Sequence, residues 1–130
     1  MQSAMMKTQS AHFGAYATRA RVRVAEGLTV LCLHGFSDNA DGWRPLFGAL
    51  ESTDLNLVAL DLPGFGDGPA VMARPAGLLP QICDFATAAL AHYARRGPVI
   101  LMGHSLGGRA ALAAAARRPQ DSAAVIALAP

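Results

Sequence analysis

The chain has 130 residues, is 52% apolar and 15% charged, and carries a formal net charge of +2. That length supports one modest hydrophobic core, and that composition excludes a disordered chain. Basic residues are scattered except for Arg95-Arg96 and Arg117-Arg118, each pair at an expected helix end where it complements the helix dipole, so no nucleic-acid partner is expected.

Residues 1–11 read as a flexible tail. Two mostly alternating stretches, around Phe13–Thr18 and Arg21–Ala25, suggest an antiparallel pair at a sheet edge. Leu28–Leu33 is a near-continuous apolar run, as expected of a strand buried on both faces, and it ends at His34-Gly35-Phe36. Trp43, Leu46, Phe47 and Leu50 then fall on one stripe of a short helix. A strand over Leu55–Leu60 leads into Asp61-Leu-Pro-Gly-Phe-Gly-Asp-Gly68, and residues 69–77 read as loop. A longer helix is predicted from about Leu79 to Arg96, with Ile82, Phe85, Ala86, Ala89, Leu90 and Tyr93 facing inward. Gly97-Pro98 stops it. A strand over 98–102, an alanine-rich helix to about Arg118 and a strand over 123–128 complete the order. Buried strands alternating with amphipathic helices predict a three-layer α/β sandwich around a mostly parallel sheet. Cys32 and Cys83 fall in a buried strand and a helix, and are expected to be inert core thiols.

The most informative segment is Gly103-His-Ser-Leu-Gly-Gly108, a G-x-S-x-G sequence between an expected strand and helix. A serine on so tight a turn is held in a strained backbone conformation with its hydroxyl exposed. Side chains two residues before and after it would collide, which gives Gly103 and Gly107 a steric reason to be glycine. Ser105 is therefore the candidate nucleophile. Two rival motifs fail. A phosphate-binding loop would need Lys-Ser/Thr where Arg109-Ala110 stand. A dinucleotide fingerprint would need glycine at Pro69. No His/Cys/carboxylate cluster suggests a metal, and no apolar run reaches the ~18 residues of a membrane span. Met1–Lys7 contains no apolar signal-peptide core, so a cytoplasmic location is expected.

His34-Gly-Phe, Asp61-Leu-Pro-Gly-Phe-Gly and Gly103-His-Ser-Leu-Gly-Gly-Arg109, in this order and spacing, resemble the α/β-hydrolase fold superfamily over about residues 12–130. The resemblance is to small esterase-like members. It extends to the menaquinone-pathway synthase that eliminates pyruvate with the same serine machinery, so a lyase stays open beside an ester hydrolase. It implies Ser105 as nucleophile and the backbone N–H groups of Phe36 and Leu106 as an oxyanion hole, with a small-molecule substrate and neither cofactor nor metal. The Leu106 amide lies at a helix N-terminus, where unpaired donors favour negative charge. Trp43 is expected in the core or the pocket wall, and Arg109 as a structural or substrate-facing cation. Neither His34, in the oxyanion loop, nor His104, beside Ser105, is expected to be the base. His12 and His92 suit surface or packing roles. Asp61 reads as a turn residue satisfying backbone donors. Asp121 precedes the last strand, at the wrong end of the sheet for a triad acid.

In that family the order is serine, acid, histidine, with a helical cap often inserted. No histidine follows Ser105 in this chain. The 130 residues therefore read as the N-terminal portion of such a domain, truncated after its sixth strand and inactive alone, with 123–128 as an exposed edge prone to self-association. A non-catalytic binding module that has lost its triad is the alternative.

Overall fold

The computed structural model describes residues 6–73 and 77–130. Six strands form one sheet: β1 (Lys7–Phe13), β2 (Tyr16–Arg23), β3 (Thr29–Leu33), β4 (Asn56–Leu60), β5 (Val99–His104) and β6 (Ser122–Leu128). Their spatial order is β1-β2-β4-β3-β5-β6. The β1–β2 and β2–β4 pairs are antiparallel, while β4, β3, β5 and β6 run parallel. Three α-helices accompany them: α1 (Arg44–Ala49), α2 (Leu78–Tyr93) and α3 (Leu106–Arg117).

The alternation of each strand divides its side chains between two layers. Leu31 and Leu33 of β3, with Val58 and Leu60 of β4, pack beneath α2 and α3. Val30, Cys32, Leu57 and Ala59 point the other way, onto Trp43 and Phe47. The α2 stripe expected from the sequence is buried at Ile82, Phe85, Ala86, Ala89 and Leu90. Phe85 is fully buried between Phe13 and Tyr16, with ring centroids 5.2 and 5.3 Å away. Burial of a side chain of that size contributes about 1.5–3 kcal/mol. α3 meets the sheet through Ala110, Ala111 and Ala114, whose small side chains let helix and strand come close. Both cysteines are free and buried, and burial raises the Cys32 thiol far above its ordinary value.

Two boundaries differ from the sequence reading. Of the tail expected over 1–11, residues 1–5 lie outside the described residues, and Lys7–Ala11 belong to β1. The hairpin turns at Gly14, with φ +59°, so both edge strands start earlier than the alternation suggested. The reason is that β1 is exposed over Lys7–Ser10 and carries no apolar rhythm there. Residues 74–76 of the expected loop also lie outside the described residues.

The two sheet edges differ in chemistry. β1 presents Lys7, Thr8, Gln9 and Ser10, which discourage further pairing. β6 reads Ser-Ala-Ala-Val-Ile-Ala-Leu with no charge, and Ile126 and Leu128 remain 42% and 46% exposed. In light scattering, the 130-residue chain is expected to self-associate through this edge, and Ile126→Lys is expected to raise the monomer fraction. A monodisperse monomer of the unaltered chain would contradict this.

Candidate active site

The carboxyl ends of β3, β4 and β5 lie side by side, so their three glycine-bearing motifs meet at one rim of the sheet. In an open α/β sheet that rim is where ligands bind. β5 ends at His104 and α3 begins at Leu106, leaving Ser105 alone as the turn. Its φ and ψ are +53° and −116°, a conformation that side chains other than glycine rarely adopt. Its amide donates to the Leu128 carbonyl at 2.7 Å, its carbonyl accepts from the Arg109 amide at 3.1 Å, and its hydroxyl does not cap the helix.

The glycine requirement is steric, and part of it is longer-range than the turn itself. A Cβ on Gly103 would lie 2.5 Å from the Gly107 carbonyl carbon and 2.6 Å from the Gly108 nitrogen. A Cβ on Gly107 would run into the Leu33 carbonyl oxygen and lie 2.5 Å from that of His34. All of these are backbone atoms and cannot swing aside. Gly107 thus lets α3 start in contact with the end of β3.

The loop after β3 is tied down by buried polar groups. His34 is fully buried; its Nε2 accepts from the Leu62 amide at 3.0 Å, and its Nδ1 lies 2.7 Å from the Gly35 carbonyl oxygen. Burial pushes its pKa down, against the opposing effects of the Gly35 carbonyl and of Asp38 and Asp61. The Gly35 carbonyl also accepts from the Asp38 amide at 3.2 Å, which closes a turn with Ser37 at φ +63°. Asp61 is fully buried and accepts from the Ala40 amide at 2.7 Å, the Asp67 amide at 2.9 Å and Arg19 Nε at 2.8 Å. Desolvation would raise its carboxyl pKa, but Arg19 and the two amides outweigh that and hold it below the ordinary value.

Among the predicted site residues, Phe36 follows the end of β3, and Ser105 and Leu106 follow the end of the adjacent β5. Gly35 abuts His104, since a Cβ on it would lie 2.9 Å from the His104 Nδ1. The Phe36 side chain is 68% exposed, with its ring 5.4 Å from that of Phe65. Trp43 stands apart from them, buried in the second core layer. Arg109 is exposed on the first turn of α3. Asp61 serves backbone donors as the turn reading expected. Its partner Arg19 escaped sequence reasoning: the two are 42 positions apart, and only the β2–β4 pairing, with Ala20 opposite Leu60, brings them together. The four histidines are placed as follows. His34 is engaged at both ring nitrogens, His104 lies against Gly35, His12 is on β1, and His92 stacks on Phe13 and Tyr93.

A family described as the alpha/beta hydrolase fold matches residues 29–130. The chain belongs to the α/β-hydrolase fold family. It is 36% identical over 101 residues to the lipase LipV of Mycobacterium tuberculosis, covering 78% of this chain and 36% of that protein. It is 31% identical over 96 residues to the (E)-2-((N-methylformamido)methylene)succinate hydrolase of Acinetobacter baylyi, covering 72% of this chain and 34% of that one. Its fold superposes on an epoxide hydrolase from Vigna radiata with a TM-score of 0.81 at 24% identity, covering 94% of this chain and 39% of that structure. The chain thus spans about a third of the length of these curated relatives. No helix among the described residues is long and apolar enough to cross a membrane.

The buried polar groups make this α/β-hydrolase-fold domain acid-sensitive. His34 has a folded pKa below its ordinary 6.5, so the unfolded chain binds its proton more readily. The stability it contributes is complete above about pH 6.5 and is lost as pH falls below that value toward the folded pKa. Asp61 has a folded pKa below 3.8, so its contribution is present above about pH 4 and is lost below it. Urea midpoints are therefore expected to fall in two stages on acidification. His92, also depressed by burial and by Arg95, adds to the first stage. His34→Gln should flatten part of that stage; an unchanged first stage in this variant would contradict the assignment.

Proposed function

We propose that this chain carries the nucleophile and the oxyanion donors of a serine-dependent hydrolase acting on an ester-like small molecule. The observation that carries the reading is the backbone of Ser105, held at φ +53° and ψ −116° between two glycines that backbone contacts forbid to carry a Cβ. Such strain persists only where the surroundings over-determine it, and it raises the hydroxyl above the sheet. The match to a lipase and to a succinate-derivative hydrolase supports hydrolysis as the reaction class.

In the proposed reaction the Ser105 Oγ attacks the acyl carbon and the carbonyl π electrons move onto oxygen. The oxyanion accepts hydrogen bonds from the Phe36 and Leu106 amides. Neither amide has a partner among the described residues. One such donor is worth about 10²–10³ in turnover. The Oγ proton needs an acceptor; His34 is engaged at both ring nitrogens, His12 and His92 lie on β1 and α2, and His104 precedes Ser105 on the elbow with its ring against Gly35. In this reading the base and its orienting acid lie outside residues 1–130.

The test is a fluorophosphonate probe applied to the product of the whole open reading frame. A covalent adduct is expected on Ser105 and is expected to be absent in Ser105→Ala. A folded protein that forms no adduct would turn the reading to a binding module. Residues 1–130 alone are expected to accelerate ester hydrolysis by no more than about 10³–10⁴ over water, the residue left when the base is missing. Ordinary enzyme turnover by that segment, abolished in Ser105→Ala, would refute the placement of the base.

A further inference from the structure

We infer that the opposite rim of the sheet, at the amino ends of β3, β4 and β5, holds a second ligand cleft. Its ligand is a small amphiphilic carboxylate: Arg96 takes the head, and Val24 and Leu28 take the apolar chain. The inference is independent of the serine-hydrolase reading.

The cleft lies where three strands begin. Thr29 and Asn56 are the first residues of β3 and β4, and Pro98 immediately precedes β5. A cavity of about 760 Å³ opens there between the β2–β3 turn and the connection from α2 to β5. A second volume of about 520 Å³ adjoins it and shares Thr29, Asn56, Tyr93 and Arg96. Small-molecule sites occupy roughly 300–1,000 Å³. The turn that forms one wall is pinned from behind. The Gly27 amide donates to the Asp54 carbonyl at 2.7 Å, and the Asn56 amide to the Leu28 carbonyl at 2.9 Å. The Ala25 amide donates to Asn56 Oδ1 at 3.2 Å. The wall thus keeps its shape without a ligand to hold it.

The basic pair Arg95-Arg96 divides into two roles. α2 ends at Tyr93, and a 3₁₀ turn follows over Ala94–Arg96. Arg95 Nε donates to the His92 carbonyl at 3.0 Å, which meets the expectation of a cation at a helix end. Arg96 has no hydrogen bond or ion pair among the described residues, and it lines both volumes. Neighbouring donors are uncommitted too. The Tyr93 hydroxyl has no partner among the described residues, and burial pushes its pKa up to about 12, so it stays a donor at neutral pH. The Thr29 hydroxyl accepts from Asn56 Nδ2 at 3.0 Å, which leaves its own hydrogen to donate. Against these stands one lining carboxylate, Glu26, which has no ion pair among the described residues.

The apolar part of the cleft is on the pinned turn. Val24 and Leu28 line it and are 74% and 52% exposed. Two large aliphatic side chains beside a set of free donors suit an apolar chain that ends in an oxyanion. A guanidinium matches a carboxylate with two parallel N–H bonds, which is why the head falls to Arg96.

The test uses octanoate as the probe, titrated into the whole gene product by calorimetry and followed in ¹H–¹⁵N spectra. Octanoate is expected to shift the amides of Glu26, Gly27 and Gly97. It is expected to bind at least about tenfold more tightly than acetate or octan-1-ol, each of which offers only half of the pattern. Arg96→Ala is expected to weaken octanoate roughly tenfold, and Glu26→Gln to strengthen it about twofold. Arg96 has no partner to lose, so Arg96→Ala is expected to keep the thermal midpoint of the unaltered protein. Unchanged affinity in Arg96→Ala, equal binding of octan-1-ol, shifts confined to the Phe36 and Leu106 amides, or no binding at all would overturn the cleft. Each of these outcomes would leave the nucleophile reading intact.

Discussion

The rest of the rim depends on one close approach, that of the first turn of α3 to the backbone at the end of β3. Gly107 has no room for a Cβ because the Leu33 and His34 carbonyls occupy that space, and Gly103 has none because Gly107 does. This contact places a helix start, with its unpaired amides, directly over the end of a neighbouring strand. It also forces Ser105 into a backbone conformation that a relaxed turn would not choose. The strain is confined to one residue and is offset by the packing of Ala110, Ala111 and Ala114 on the sheet below.

Around that contact, two buried polar side chains do what apolar packing cannot. A loop at a sheet rim has backbone donors and acceptors with no strand partner, and burying them unpaired costs about 1–3 kcal/mol each. Asp61 receives the Ala40 and Asp67 amides, one from the loop after β3 and one from the loop after β4. His34 accepts from Leu62 and lies within hydrogen-bond reach of Gly35. Charge compensation for Asp61 comes from Arg19 on β2, which is itself held by Asp41 at 3.5 Å. The loops that carry Phe36 and Phe65 are thereby referenced to the same strands.

Much of this was legible in the sequence. The two-faced strands were readable at Leu28–Leu33 and Leu55–Leu60 because burial on both sides removes polar residues from both phases of the alternation. The elbow was readable because its glycines are sterically compelled and close together in the chain. The α2 stripe was readable because period 3.6 survives wherever one helix face meets a core. The start of β1 was not, since an exposed edge strand has no burial to imprint a pattern. Nor was Arg19 as the partner of Asp61: nothing in a basic residue on a short strand says which carboxylate it will meet.

The sequence by itself determined the order of strands and helices, the α/β class and the position of the strained serine. These are local matters of periodicity and steric exclusion, written within a few residues of where they act. Tertiary structure alone decided that Trp43 lies in the core, that Arg19 neutralises Asp61, that His34 binds the Leu62 amide and that Gly35 meets the elbow at His104. Those relations join residues tens of positions apart. They come into being only when parallel pairing of β3 with β4 and β5 brings three strand ends to one rim.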